Sequence, residues 1–304
     1  CEHLGKGPEA YQNKICGHEP CGQIVGVGPG LRRFREGDRV IVYHISGCGV
    51  CNDCRRGYMI SCSSEFRRAY GWQRDGGMAE YMLAEEKDLV LLPHSLSYTD
   101  GAQIACGFGT VYEGLEKIGI SGNDAVLVVG LGPVGLAACM LASAMGAQQI
   151  IGVDTVRERV ELAKEKKLVD HAFLSDRDTL DKILALTGGK GVEKAVDCSG
   201  NTHGRQLAVR ATRKWGQVVF LGEGGTVELN PSPDLIHAQK TIVGSWVTNL
   251  WRMEDLVERI VRWGIHPEDL VTHRFTLDRA SEAYALMAEG KCGKVAVVSD
   301  EEIK

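Results

Sequence analysis

The sequence predicts an α/β fold in which a doubly wound parallel sheet joins a second, mainly β domain. Three observations carry this. Strands and helices alternate from residue 125 to residue 246. A glycine turn, Gly130-Leu131-Gly132-Pro133-Val134-Gly135, stands between the first of those strands and its helix. Residues 22–93 instead read as short strands broken by turn residues, around a cysteine-rich loop.

Composition bounds the rest. The chain has 304 residues, 44% apolar and 25% charged, as a globular protein of one or two domains does. A formal net charge of −5 excludes a reading that needs a basic face for nucleic acid. Residues 125–147 carry no charged side chain, yet Gly130, Gly132, Pro133 and Gly135 interrupt the run. A buried strand, a turn and a buried helix explain it better than a membrane span. No basic-then-apolar leader pattern is seen. The chain starts at Cys1 rather than Met, and residue 1 is read as an internal position of a longer protein. Eleven cysteines, odd in number and clustered, favour metal binding in a reducing, cytoplasmic setting over disulfides.

Along the chain, residues 22–43 read as strands: GQIVGVGPG alternates and turns at Pro29-Gly30, and FREGDRVIVY is a charged turn leading into a β-branched strand. Residues 46–64 form the cysteine loop. Residues 76–93 read as two short strands closed by Pro93. A helical pattern then runs from about residue 100 to Gly119. Strands AVLVVG, QIIGVD, HAFL, KAVDCSG, QVVFLG and TIVGSW follow, separated by helices at 133–146, 156–167, 177–187, 202–213 and 233–239. Six strands separated by helices suit a Rossmann doubly wound domain. RMEDLVERIVRWG is an amphipathic helix; a strand at 271–276, a helix SEAYALMAEG and a strand KVAVV close the chain. The expected domains are 1–106, 107–248 and a return segment, 249–304, to the first.

Cys48, Cys51, Cys54 and Cys62 stand in the pattern C-x2-C-x2-C-x7-C. Zinc takes four soft ligands in a tetrahedron, and x2 spacings let a short turn present successive sulfurs to one ion. Four protein ligands make such a site closed and structural. Free thiols or disulfides are the plainer alternative, but a C-x2-C disulfide is strained.

Gly130, Gly132 and Gly135 form G-x-G-x-x-G after a strand and before a helix, the context a dinucleotide site needs. Gly130 makes the tight turn, Gly132 admits the pyrophosphate, and Gly135 lets helix and strand pack closely. The helix N-terminus, with Pro133 and Val134 in its first turn, then faces the phosphates. Asp154 ends the next strand, 24 residues after Gly130. A carboxylate there accepts from a ribose 2′-OH and repels a 2′-phosphate, favouring NAD over NADP. Arg159 is a candidate contact to the adenosine ribose, or a solvated helix residue.

In this order the motifs resemble the zinc-containing medium-chain alcohol dehydrogenase family over nearly the whole chain. Gly17-His18-Glu19 resembles that family's G-H-E segment. GDRV at 37–40, DGGMAEY at 75–81 and GKVAVV near the C-terminus resemble its strand segments. Cys48, Cys51, Cys54 and Cys62 fall on its structural-zinc lobe. Cys106-Gly-Phe-Gly-Thr110 resembles the segment that carries a catalytic cysteine.

The resemblance implies a mainly β, GroES-like catalytic domain and a catalytic zinc held by two cysteines and a histidine. His18 and Cys106 would be two of the ligands and Glu19 would lie beside the metal. The third ligand would be a cysteine about 20–25 residues before the histidine. Cys1 is only 17 residues before His18. His3 fits the histidine that follows the missing segment and relays a proton. Thr110 and Val134 would position the nicotinamide. The implied activity is hydride transfer between an alcohol and NAD, in a cleft between the domains. The implied assembly is a homodimer or homotetramer, through the sheet edge near 240–250, with a small-molecule alcohol as substrate and neither nucleic acid nor membrane as partner.

Three rivals stand beside this reading. A zinc-free reductase of the same fold would lack the cysteine lobe and prefer NADP. A truncated chain could keep the fold and the structural zinc without activity. A zinc-ribbon binding protein would not carry the alternating half.

Overall fold

The fold comes from a computed structural model, and the structure describes residues 13–299. The chain forms two compact units. Among the described residues, one comprises 13–109, 247–285 and 295–299; the other comprises 110–246 and 286–294.

The first unit is built on short antiparallel pairings. Strand β1 (Cys21–Gln23) pairs with β2 (Arg39–Val42), Cys21 opposite Ile41. Strand β3 (Ile45–Ser46) leads into the cysteine loop, which contains the one-turn helix α1 (Asn52–Arg55). Strand β4 (Arg68–Ala69) pairs with β3, and β5 (Leu89–Leu91) with β2. Phe34, Val40, Val42, Tyr70 and Leu89 are buried together, with Ile24, Met82 and Ala84 packed against them. Helix α2 (Tyr98–Gln103) opens on a reciprocal cap: Ser97 accepts from the Asp100 N–H, and Asp100 accepts from the Ser97 N–H.

Strand content is lower than the alternation predicts. Of residues 22–43, only 22–23 (the end of β1) and 39–42 (β2) are strand, and of 76–93 only β5 is. Residues 76–78 instead hydrogen-bond to 15–17, Gly76 to Ile15 O at 2.8 Å, Gly77 to Gly17 O at 2.8 Å and Met78 to Cys16 O at 3.0 Å. The glycines explain this. A Cβ on Gly76 would lie 2.2 Å from Gly17 O, so only glycine permits so close a backbone approach.

The single helix expected over 100–119 is interrupted. A π-turn over Ile104–Phe108 separates α2 from α3 (Gly109–Ile118). Such widened turns recur at functional sites, and this one carries Cys106.

The second unit is a six-stranded parallel sheet. Strand β6 (Ala125–Val129) is followed by α4 (Pro133–Ala144), β7 (Gln149–Asp154), α5 (Arg157–Glu165), β8 (His171–Leu174) and α6 (Thr179–Leu186). Then come β9 (Val192–Asp197), α7 (Thr202–Ala211), β10 (Thr212–Phe220) and β11 (Thr241–Gly244). Their order is β11-β10-β9-β6-β7-β8, all parallel, and the order in which successive strands are added switches sides between β6 and β9. Ligands of such sheets bind at that switch, beyond the carboxyl ends of the strands. Both faces are covered, so β6 is buried at all five positions, as its uninterrupted apolar run requires. The helix expected at 233–239 is a π-turn over Ser232–Ile236. Strand β10 starts five residues earlier than QVVFLG suggests, because its register shifts between Thr212 and Gln217, with Trp215 at positive φ.

The return segment opens with α8 (Leu250–Trp263), capped by Asn249 and ended by left-handed Gly264. Met253, Leu256, Val257 and Ile260 form its buried stripe. Strand β12 (Val271–Phe275), helix α9 (Ala280–Glu289) and β13 (Lys294–Val297) follow, and β12 pairs with β13. Residues 286–294 group with the parallel-sheet unit rather than with the rest of 249–304. A local contact explains it: a Cβ on Gly290 would lie 3.0 Å from the Arg159 guanidinium.

Candidate functional site

The four-cysteine loop closes on itself. The sulfurs of Cys48, Cys51, Cys54 and Cys62 all lie within 4.8 Å of one another, with Cys48 and Cys54 4.0 Å apart. A tetrahedron with Zn–S of about 2.3 Å sets sulfurs about 3.8 Å apart, so the donor set fits one zinc. The loop backbone supplies N–H donors to the sulfurs: Cys48 to Cys62 Sγ at 3.4 Å, Cys51 to Cys48 Sγ at 3.4 Å and Cys54 to Cys51 Sγ at 3.5 Å. The N–H groups of Val50 and Cys51 pull the Cys48 thiol down to about 6, while burial pushes Cys54 up to about 12. All four sulfurs can be thiolates so close together only with a cation among them. Gly47 makes room for the cluster, since a Cβ there would lie 2.6 Å from Cys54 Sγ.

A second group meets in the same unit. One ligand atom each of His18, Glu19 and Cys106 lies within 4.8 Å of the others, and all three residues are half-buried. His18 and Glu19 are presented by the glycine-locked segment 15–17, and Cys106 by the π-turn. Imidazole and thiolate beside a carboxylate form a donor set that suits zinc, and two protein ligands leave positions free for others. His3 and Cys1, the other candidates for this centre, lie outside the described residues.

Sequence reasoning missed His44, which no spacing marks. It follows β2, is buried, and places its ring 5.3 Å from that of His18, edge to face. Its Nδ1 lies 3.1 Å from the Ala105 carbonyl. Burial, reinforced by His18, pushes its pKa down to about 3.

The glycine turn lies at the switch between β6 and β9. Gly130 has φ +91°, and a Cβ there would lie 2.8 Å from Ser199 N. A Cβ on Gly135 would lie 1.7 Å from Gly130 O. Gly132 differs: its nearest neighbour would be Arg159 Nη1 at 3.6 Å, so this position is open. Gly132 caps α4 with no side-chain acceptor, Pro133 is in the first turn, and Val134 is half-buried beside it. An uncapped helix N-terminus behind an open glycine fits a pyrophosphate.

Asp154, 4% exposed, accepts from the Leu131 N–H at 2.6 Å and the Val156 N–H at 2.8 Å. Arg159 Nη1 is 3.6 Å from Asp154 Oδ2. Arg159 is therefore not a solvated helix residue: its guanidinium lies between Gly132, Asp154 and Gly290, and its buried Nε has no hydrogen-bond partner. Thr110 is half-buried in the first turn of α3. No helix among the described residues is long and apolar enough to cross a membrane.

The family model described as "Alcohol dehydrogenase GroES-like domain" matches residues 2–94, and that described as "Zinc-binding dehydrogenase" matches 133–262. The chain is 57% identical over 287 residues to the "uncharacterized zinc-type alcohol dehydrogenase-like protein YphC" of Escherichia coli K12, covering 94% of this chain and 81% of that one. It is 31% identical over 287 residues to L-threonine 3-dehydrogenase of Pyrococcus horikoshii, covering 93% and 81%. A solved NAD-dependent alcohol dehydrogenase superposes with a TM-score of 0.86 at 27% identity, covering 98% of this chain and 88% of its own. On these matches over both parts of its length, the chain belongs to the zinc-containing medium-chain alcohol dehydrogenase family.

Proposed function

We propose that this oxidoreductase transfers a hydride between an alcohol and NAD, with one zinc in the Cys48–Cys62 loop and a second at His18 and Cys106. The observation that carries the reading is the meeting of the neighbours His18 and Glu19 with the sequence-distant Cys106, all within 4.8 Å. Bound there, zinc supplies Lewis-acid polarisation of a substrate hydroxyl, lowering its pKa toward neutral. NAD supplies the hydride acceptor.

The chain's own residues orient these groups. Glu19 holds a negative charge beside the two ligands and steers the cation. Asp154 disfavours a 2′-phosphate and accepts from a ribose hydroxyl, while Arg159 places a cation next to the open Gly132. Thr110 and Val134 hold the nicotinamide in orientation, and His3 passes a proton toward water. The relatives' names bring amino alcohols, such as threonine, to the substrate class beside polyols and simple alcohols. The edge strand β11 supports a homodimer or homotetramer paired near 240–250.

Elemental analysis of the dialysed protein, followed by an alcohol panel with NAD and with NADP, tests the reading. Two zincs per chain and turnover that favours NAD by about tenfold or more are expected, from a carboxylate facing the 2′ position. One zinc and no turnover would overturn it.

A further inference from the structure

His44 has no part in the ligand sets above, yet it meets the ring of His18 and the carbonyl of Ala105, the residue before Cys106. Strand β2 ends at Val42, and the two residues after it are fixed on both sides. The Tyr43 N–H donates to Asp88 O at 2.8 Å, and the His44 carbonyl accepts from the Tyr70 N–H at 2.8 Å. The Tyr43 hydroxyl donates to Thr248 O at 2.6 Å. The backbone that carries the His44 ring is therefore anchored at three points.

The ring itself meets two elements. A carbonyl oxygen only accepts, so the 3.1 Å contact with Ala105 O places the hydrogen on Nδ1. Ala105 directly precedes Cys106 in the π-turn over Ile104–Phe108. The other contact is edge to face with His18, at 5.3 Å between ring centres. One buried imidazole thus bears on the turn that presents the thiol and on the ring that presents the nitrogen. An aliphatic side chain would fill the space without donating to the turn. A histidine that merely filled the core would not need its donor aimed at the residue before a candidate ligand.

We propose that His44 is a positioning residue for the second metal centre, holding the Cys106 turn through the Ala105 carbonyl and buttressing the ring of His18. The inference rests on the two-metal reading above. It is distinct from that reading, because the ligands could bind metal without this brace. Partners that orient the ligands of a metal typically change its affinity by about 10–100-fold when removed.

Two substitutions isolate the donor. His44→Asn puts an amide N–H where Nδ1 stands. His44→Gln puts it about one bond further out, near the Nε2 position, where it misses Ala105 O. Both are polar and neither is aromatic, so they differ chiefly in donor placement. The readout is cobalt(II) exchange into the purified zinc protein, followed by visible absorption and titration. The tetrathiolate band of the Cys48–Cys62 loop serves as an internal control for the fold. Two cobalt sites are expected in the unmodified chain. His44→Gln should weaken only the second, by about tenfold or more, and alter its d–d spectrum, while His44→Asn should lose much less. Equal second-site affinity and spectra for Asn and Gln, with the tetrathiolate band intact in both, would overturn the positioning role alone. An unmodified chain that takes up only the tetrathiolate cobalt would overturn the two-metal reading and the inference with it.

Discussion

At the scale of single residues, the most exposed energetic imbalance is Asp88. Its carboxyl is fully buried. Oδ2 accepts from the Tyr70 hydroxyl at 2.9 Å, while Oδ1 has no hydrogen-bond partner. Burial raises its pKa from 3.8 to about 6, against the pull of Ser46, Lys87 and Tyr70. The sign follows from linkage. A carboxyl whose folded pKa lies above its unfolded value makes folding cost more as it ionises. The cost is absent below about pH 4, grows as pH rises toward 6 and is complete above it. Asp88→Asn should therefore stabilise the protein at pH 8 by about 1–2 kcal/mol, a Tm gain of about 2–5 °C. At pH 4 the gain should vanish. Thermal melts at the two pH values check this, and a Tm at pH 8 that falls on substitution would show that the charge is compensated.

Elements bring longer-range terms. The cap of α2 is also a clasp. Asp100 is fully buried and, besides closing its capping box, accepts from His266 Nδ1 at 2.9 Å and from the Glu268 N–H at 2.9 Å. Asp100→Ala removes a helix cap and leaves donors unpaired, a loss of about 2–4 kcal/mol by denaturant titration. The contact with Asp100 raises the pKa of His266. A raised histidine adds stability that is complete below its unfolded pKa and lost as pH rises through the folded value. Unmodified protein should lose this increment as pH rises above the ordinary histidine value of about 6.5, and His266→Ala should flatten that part of the profile.

The glycine turn separates folding from binding within one element. Gly135→Ala forces a Cβ into the Gly130 carbonyl, backbone against backbone, and should cost about 2–4 kcal/mol along with dinucleotide binding. Gly132→Ala meets only the tip of Arg159 at 3.6 Å, so stability should stay within about 0.5 kcal/mol. Dinucleotide binding should nevertheless weaken, because the methyl group fills the space a pyrophosphate needs. Calorimetric titration with NAD beside a melt of each variant separates the two effects. Equal stability loss in both would contradict the packing difference.

For the whole molecule, the two units rely on different sources of order. The parallel sheet has a continuous apolar core that includes Leu127, Val129, Ile151, Val153, Ala195 and Val218. The loop 46–64 buries the side chains of Met59 and Ile60 beside its cluster of four sulfurs. Ligand-held segments gain folding free energy from the metal itself. A strong chelator should thus open the 46–64 loop to protease while the segment 125–220 stays protected, as mass mapping of the fragments would show. Simultaneous cleavage of both would mean that the sheet depends on the metal as well.

The sequence by itself determined the elements whose chemistry is local. The x2 spacings of Cys48, Cys51 and Cys54 specify one ion because neighbouring turns present neighbouring sulfurs. The order strand, glycine turn, helix specifies a dinucleotide loop because its glycines answer to contacts a few residues away. The stripe of α8 and its end at Gly264 follow from a 3.6-residue period and a left-handed cap. The tertiary structure decided whatever depended on residues distant along the chain. It converted the expected strand at DGGM into a glycine-packed brace for the His18 segment, and it widened the helix at Cys106 into a π-turn. It paired Arg159 with Asp154, carried 286–294 to the parallel-sheet unit, and set His44 against His18 and Ala105. The physical reason is common to these cases. Periodicity and spacing report which side chains share a face within about two turns of chain, whereas close backbone approach and buried hydrogen bonds exist only once distant segments have met.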